Sequence, residues 1–327
     1  MSAPTLDRPA PQAPVRRTLP GADGLVWTVL RLHRTALWVW VAYVAISLAL
    51  LLWLWGPGSS AAQHAFDAFG YAGAQDDAWK GLTAGIPFVG SFDSLFYEPA
   101  SLIRIAMVAI AVFAAGPLIG RELESGTAQL AWTQSVSPAR WLAAKLAVPA
   151  VFLTVGTALI VALYWVVWDA HNHLLVAGIG PRSFVFSTGP ATVANALFGL
   201  ALGVLAALVL RRTLPAIAVA GIAQFLAGAL RLNSWPFQGN RQQPELPVHS
   251  KALTSTGAEV RDPGCYLDQN CLDQHHITGF TRHYLPSPDF WPRQLAETGI
   301  LLGLTALAVV AAFLVLRRFQ PKKGATA

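Results

Sequence analysis

An all-α integral membrane protein with six transmembrane helices is the fold class this sequence predicts, on three observations. The 327-residue chain is 54% hydrophobic and only 12% charged, against about 25% charged residues in a soluble domain. Six nearly charge-free apolar runs of 17 to 23 residues recur along it, and a helix needs about 17–25 residues to cross the hydrocarbon. Trp38, Trp40, Trp53, Trp55, Trp165 and Trp168 lie near the ends of these runs, where an interfacial aromatic belt places them. Six such helices packed in water would leave no polar surface, which excludes a soluble bundle.

Residues 1–20 hold five prolines and no apolar core, so they read as a disordered cytoplasmic tail and not as a signal peptide. In GLVWTVLRLHRT, a helix would gather Leu25, Val29, Leu32 and Ala36 on one side and Thr28, Arg31, Arg34 and Thr35 on the other. That pattern suits either an interfacial helix lying in the inner leaflet or a simple extension of the first span. The first span covers 36–55. Between it and the second span, at 102–120, the semi-apolar GLTAGIPFVGSFDSLFYEPA reads as a short amphipathic or re-entrant piece, its Gly, Pro and Asp arguing against another crossing. The third span covers 146–168. The fourth and fifth, at 189–210 and 214–230, are joined only by Arg211, Arg212 and Thr213, which forces an antiparallel hairpin. Residues 233–294, polar and rich in Pro, Gly and Asn, are too long for a plain connector and read as a small extracytoplasmic cap before the sixth span at 295–316.

Basic residues fix the expected orientation, because Lys and Arg resist translocation. With both termini cytoplasmic, Arg8, Arg16, Arg17, Arg31, Arg34, Arg121, Arg140, Lys145, Arg211, Arg212, Arg317, Arg318, Lys322 and Lys323 lie inside, 14 of the 23 basic residues. The basic balance (pI about 9.6) then reflects topology and anionic inner-leaflet lipid, not nucleic acid.

The inner loop RELESGTAQLAWTQSVSPARW, 121–141, is more tightly specified than a tether needs to be. Gly126 can end the preceding helix in a left-handed cap, and Thr127 can cap a new short helix, AQLAWTQ. Ser137 followed by Pro138 is an N-cap with proline at the first helical position. Capping signals that agree with one another specify a rigid structure. Leu130 and Trp132, read as exposed on that short helix, are the kind of anchor a soluble partner buries, and Glu122, Glu124 and Arg140 are the charges that would orient it. The same two apolar side chains would also suit a helix lying in the lipid headgroups.

The run GPLIGRELESGTAQLAWTQSVSPARWLAAKL resembles the loop between the second and third spans of ABC-2 type exporter permeases, in which an R-E-x-E-x-G-T segment is followed by an apolar helix, a V-S-x-x-R turn and a Lys at the next span. The form with W-T-Q-S-V-S is similar to permeases of high-GC actinobacteria. The resemblance implies one permease domain over 21–327 in the cell (plasma) membrane. It implies that the loop holds a cytoplasmic coupling helix docking on a separate P-loop ABC ATPase, and that the segment before span one is a connecting helix. It also implies a second permease copy, identical or related. Glu122, Glu124, Gly126, Thr127, Leu130, Trp132 and Arg140 would then serve coupling, with no catalytic residue and no cofactor in this chain, ATP and Mg being held by the partner.

The rest of the sequence bears on this in two ways. No G-x-x-x-x-G-K-[ST] is present, so no P-loop of this chain hydrolyses a nucleotide. Within the spans only Arg104, Glu297 and the uncharged Gln224 stand out, which gives little support to an ion-coupled relay. Small residues such as Gly199, Gly203 and Gly221 read as packing positions. Outside, Cys265 and Cys271 read as a disulfide in an oxidising compartment, with a metal site shared with His275, His276 and His283 as the alternative. Asp169, His171 and His173 form a second polar cluster at a helix end, and no metal is expected at either. An integral membrane enzyme or a scaffold with an extracytoplasmic Cys/His site is the competing class.

Overall fold

A computed structural model describes residues 22–68, 89–134, 136–171, 174, 186–233, 251–260, 269–281 and 287–318. Six of its helices are long and apolar enough to cross a membrane: Arg34–Ala65, Ser94–Glu124, Pro138–His171, Pro190–Leu210, Thr213–Arg231 and Trp291–Arg317. The six apolar runs fall on these helices. The tail 1–20 lies outside the described residues.

In chain order, α1 (Ala22–Leu32) precedes α2 (Arg34–Trp53), with His33 breaking the helix between them at φ −105°, ψ 20°. Val29 is buried and α1 packs on the third span. Leu32 is exposed, as are Val26 and Trp27, and Arg31 lies 5.0 Å over the Trp27 ring. The expected apolar side is therefore split, with Val29 buried and Leu32 exposed at the end of the same helix.

Span one does not stop at Trp55. It passes through a π-helical segment, π1 (Leu54–Gly58), which takes up Pro57, and runs on as α3 (Ser59–Ala68). Span two likewise begins early. Its helix α4 (Val89–Phe113) includes Pro99 and leads into a second π-helical segment, π2 (Ala114–Gly120), around Pro117. Residues 89–100, expected in an amphipathic or re-entrant piece, thus belong to the first turns of the span-two helix. Phe92 and Phe96 are fully buried there, and the Tyr164 hydroxyl donates to the Phe96 carbonyl at 3.2 Å. A proline costs a helix one hydrogen bond and a clash four residues back. Wider π turns accommodate that locally, and the helix continues.

Two short helices, α5 (Arg121–Glu124) and α6 (Thr127–Gln134), carry the chain to α7 (Pro138–His171), the third span. Span four, α8 (Pro190–Leu210), closes at Arg211 in the left-handed region, φ 57°, with the Arg211 amide bonded to the Ala207 carbonyl at 2.9 Å. Span five, α9 (Thr213–Asn233), starts at once, giving the expected tight hairpin. Helix α8 is the hub, packed on spans two, three, five and six. Its small residues permit this: a Cβ on Gly203 would stand 2.3 Å from the Ala111 carbonyl oxygen and 2.7 Å from the Ala114 Cβ.

The spanning part is all-helical. Between spans five and six the described residues also form a three-stranded antiparallel sheet, ordered β2-β1-β3, from β1 (Lys251–Thr254), β2 (Glu259–Val260) and β3 (Ile277–Thr281), with α10 (Gln269–Gln274) beside it. Ala252 faces Val260 on one side and Phe280 on the other. A small core of Ala252, Leu272 and Ile277 supports it, so part of 233–294 has a fold of its own. Span six is α11 (Ser287–Arg317).

Candidate functional site: the loop 121–141 and its anchorage

The described residues of the loop 121–141 are shaped by local contacts and anchored by distant ones. Gly126 has φ +74°, a conformation in which only glycine avoids strain. Its carbonyl accepts from the Leu130 amide at 3.2 Å, so Gly126 caps α6. Thr127 is the first helical residue, and its hydroxyl turns back to the Glu122 carbonyl at 3.3 Å and the Ser125 hydroxyl at 3.0 Å. The expected capping role thus falls to Gly126, and Thr127 ties the break to the helix before it. Ser137 does cap the third span, its Oγ accepting from the Arg140 amide at 3.4 Å.

Under the loop lies a buried lysine. Lys145 is 3% exposed, and an ammonium has three donors and no acceptor. All three are used: Nζ is paired with Glu122 Oε1, donates to the Leu118 carbonyl at 3.2 Å, and meets His33 Nε2 at 2.8 Å. Because the ammonium can only donate, His33 must accept at Nε2 and keep its proton on Nδ1. Burial, and then the Lys145 charge, lower the His33 pKa to about 4, so the ring is neutral near pH 7. The other oxygen of Glu122 accepts from Trp141 Nε1 at 3.2 Å, and Trp141 meets Trp132 edge to face at 5.5 Å. Glu124 reaches a different helix: its Oε2 accepts from the Thr213 amide at 3.0 Å, supplying the first turn of span five with the negative group that a helix start favours.

These contacts redistribute the roles expected from sequence. Glu122 is an internal ion-pair partner and not a rim charge. Trp132 is half-buried against the core and is not exposed beside Leu130. Residues two apart on a helix project about 200° from each other, so the two cannot share a face; Leu130 is 59% exposed. Glu124 and Arg140 are exposed, Glu124 holding Thr213. The residues that sequence reasoning passed over are His33, Trp141 and Lys145. Trp141 and Lys145 stand four apart, on one helix face, which was a readable signal; nothing local pointed to His33.

Of the Cys/His and Asp/His clusters, Cys271 is disulfide-bonded, while Cys265, His173 and His283 lie outside the described residues. Among the described residues no three His, Cys, Asp or Glu side chains gather as a metal site would need. The start of span one, the end of span two, the start of span three and the start of span five thus share one polar anchorage around the loop.

A family model described as ABC-2 membrane transporter related matches residues 62–233, just over half the chain, including the whole loop 121–141. No curated protein and no solved structure matches.

Proposed function

We propose, from the premise that this chain belongs to the ABC-2 membrane transporter related family, that it is the transmembrane subunit of an ATP-driven exporter in the plasma membrane. The family makes it a membrane transport subunit of ABC-2 permease type. The finer reading is our own. The loop 121–141 faces the cytoplasm, as do both termini, and α6 is the coupling helix on which a P-loop ATPase docks, that partner holding ATP and Mg. A second permease copy completes the path.

The anchorage of the loop carries this reading. A docking element transmits force only if it cannot yield, and α6 sits between a left-handed glycine break and a capped helix. The turn before it is bonded to Lys145 through Glu122 and to span five through Glu124. Leu130 and the exposed Arg140 supply an apolar anchor and a charge for orientation. ATP binding in the partner would then tilt several spans together, changing access between them by rigid-body motion.

The test is co-purification from native membranes. Wild type should bring down a P-loop ATPase, and Leu130→Asp should lose it while keeping the wild-type melting midpoint, since an exposed side chain contributes little to folding. Retention of the ATPase by Leu130→Asp would remove α6 as the docking element.

A further inference from the structure

The outer halves of spans four, five and six hold a row of buried polar groups. Arg231, at the outer end of span five, is 7% exposed, and its Nε is paired with Glu297 Oε1 of span six. Its guanidinium carbon lies 4.2 Å over the Phe186 ring. Both Nη1 and Nη2 are buried and have no hydrogen-bond partner among the described residues. Two helical turns deeper on span five, about 10 Å by helix rise, Gln224 donates to Asn195 Oδ1 of span four at 3.1 Å, leaving Gln224 Oε1 and Asn195 Nδ2 buried and without a partner among the described residues.

A pair meant only to staple two helices would present the guanidinium fork to the carboxylate in the stronger bidentate form. Here Glu297 engages only Nε, and both Nη groups are left without an acceptor among the described residues. A buried donor without an acceptor is costly, and a fork of this shape matches a carboxylate or phosphate. The groups sit among apolar spans, so the ligand that satisfies them has an apolar body as well.

We propose that Arg231 is the headgroup-binding residue of an outer site for an oxyanion-bearing amphiphile, its Nη1 and Nη2 donating to the carboxylate or phosphate, with Asn195 and Gln224 the polar pair on the path below. The assignment of this ligand as cargo rests on the transport reading above; the binding itself does not.

The test uses the purified full chain, without ATPase, in phosphatidylcholine nanodiscs. Dodecanoate should raise the melting midpoint saturably, and dodecanol and acetate should not. Arg231→Lys keeps the charge and loses the fork, so its half-saturating concentration should rise about tenfold or more. The double variant Arg231→Met/Glu297→Gln removes the buried pair without stranding a charge and should lose the response while remaining folded. In nanodiscs containing phosphatidylglycerol, a higher melting midpoint and a weaker dodecanoate response in wild type, with no such lipid-induced rise in the double variant, would support the same site with bilayer lipid as its source. Wild-type half-saturation in Arg231→Lys, an equal response to dodecanol or acetate, or no dodecanoate response in wild type would each overturn the site. Because no partner is in the assay, loss of ATPase docking with dodecanoate binding intact would sink the exporter reading alone, and the converse would sink this site alone.

Discussion

Lys145 shows how one residue sets the behaviour of its surroundings. Taking an ammonium out of water costs several kcal/mol unless its charge and all its donors are answered, and Glu122, Leu118 and His33 answer them from three different elements. Glu122→Gln should therefore lower the melting midpoint of the purified chain, by roughly 3 kcal/mol of stability, because it leaves a buried cation without its counter-ion. Glu122→Met/Lys145→Met should recover most of the loss, and thermal unfolding in detergent measures both. A single variant as stable as wild type would mean that Lys145 has another counter-ion. At this scale the sequence was legible wherever the signal was local. Gly126 and the Ser137–Pro138 cap were readable because their partners lie within three or four residues. The bond between Lys145 and His33 spans 112 positions, and no periodicity encodes such a pairing.

At the scale of the element, the spans were readable as apolar runs and their ends were not. Pro57, Pro99 and Pro117 look like boundaries because proline breaks an isolated helix; packed among neighbours, the chain widens into π turns at two of them and continues. Arg231 illustrates the cost of misplacing an end. A span five ending at 230 places it in the connector, whereas the helix continues to Asn233 and pairs it with Glu297 of span six. The close contact of spans two and four gives a prediction. Gly203→Val should destabilise strongly, since even its Cβ would meet backbone at 2.3 Å, whereas Gly228→Ala, with nothing within 4 Å of the new Cβ, should melt within about 0.5 kcal/mol of wild type. Equal melting of the two variants would show that span four does not seat on π2 as described.

For the whole molecule, fold class was legible because bilayer thickness constrains every span alike, and the side of the membrane was inferred from basic residues alone. That orientation can be checked directly. Leu130→Cys, in the chain expressed without a partner, should react with a membrane-impermeant maleimide in inside-out vesicles and not in right-side-out ones; the reverse labelling would invert the topology and place α6 outside. Cys271, being disulfide-bonded, should stay silent.

The seven-residue π2 segment runs directly into Arg121, and this has a geometric result. Each residue of an ordinary helix advances the azimuth by about 100°, so the length of π2 fixes the compass bearing of the two glutamates that follow it. Shortened by one residue, the segment would swing Glu122 off the lysine and Glu124 off the start of span five together. The wide turns around Pro117 therefore act as the phase setting of the loop, and its two anchors are two readings of a single angle.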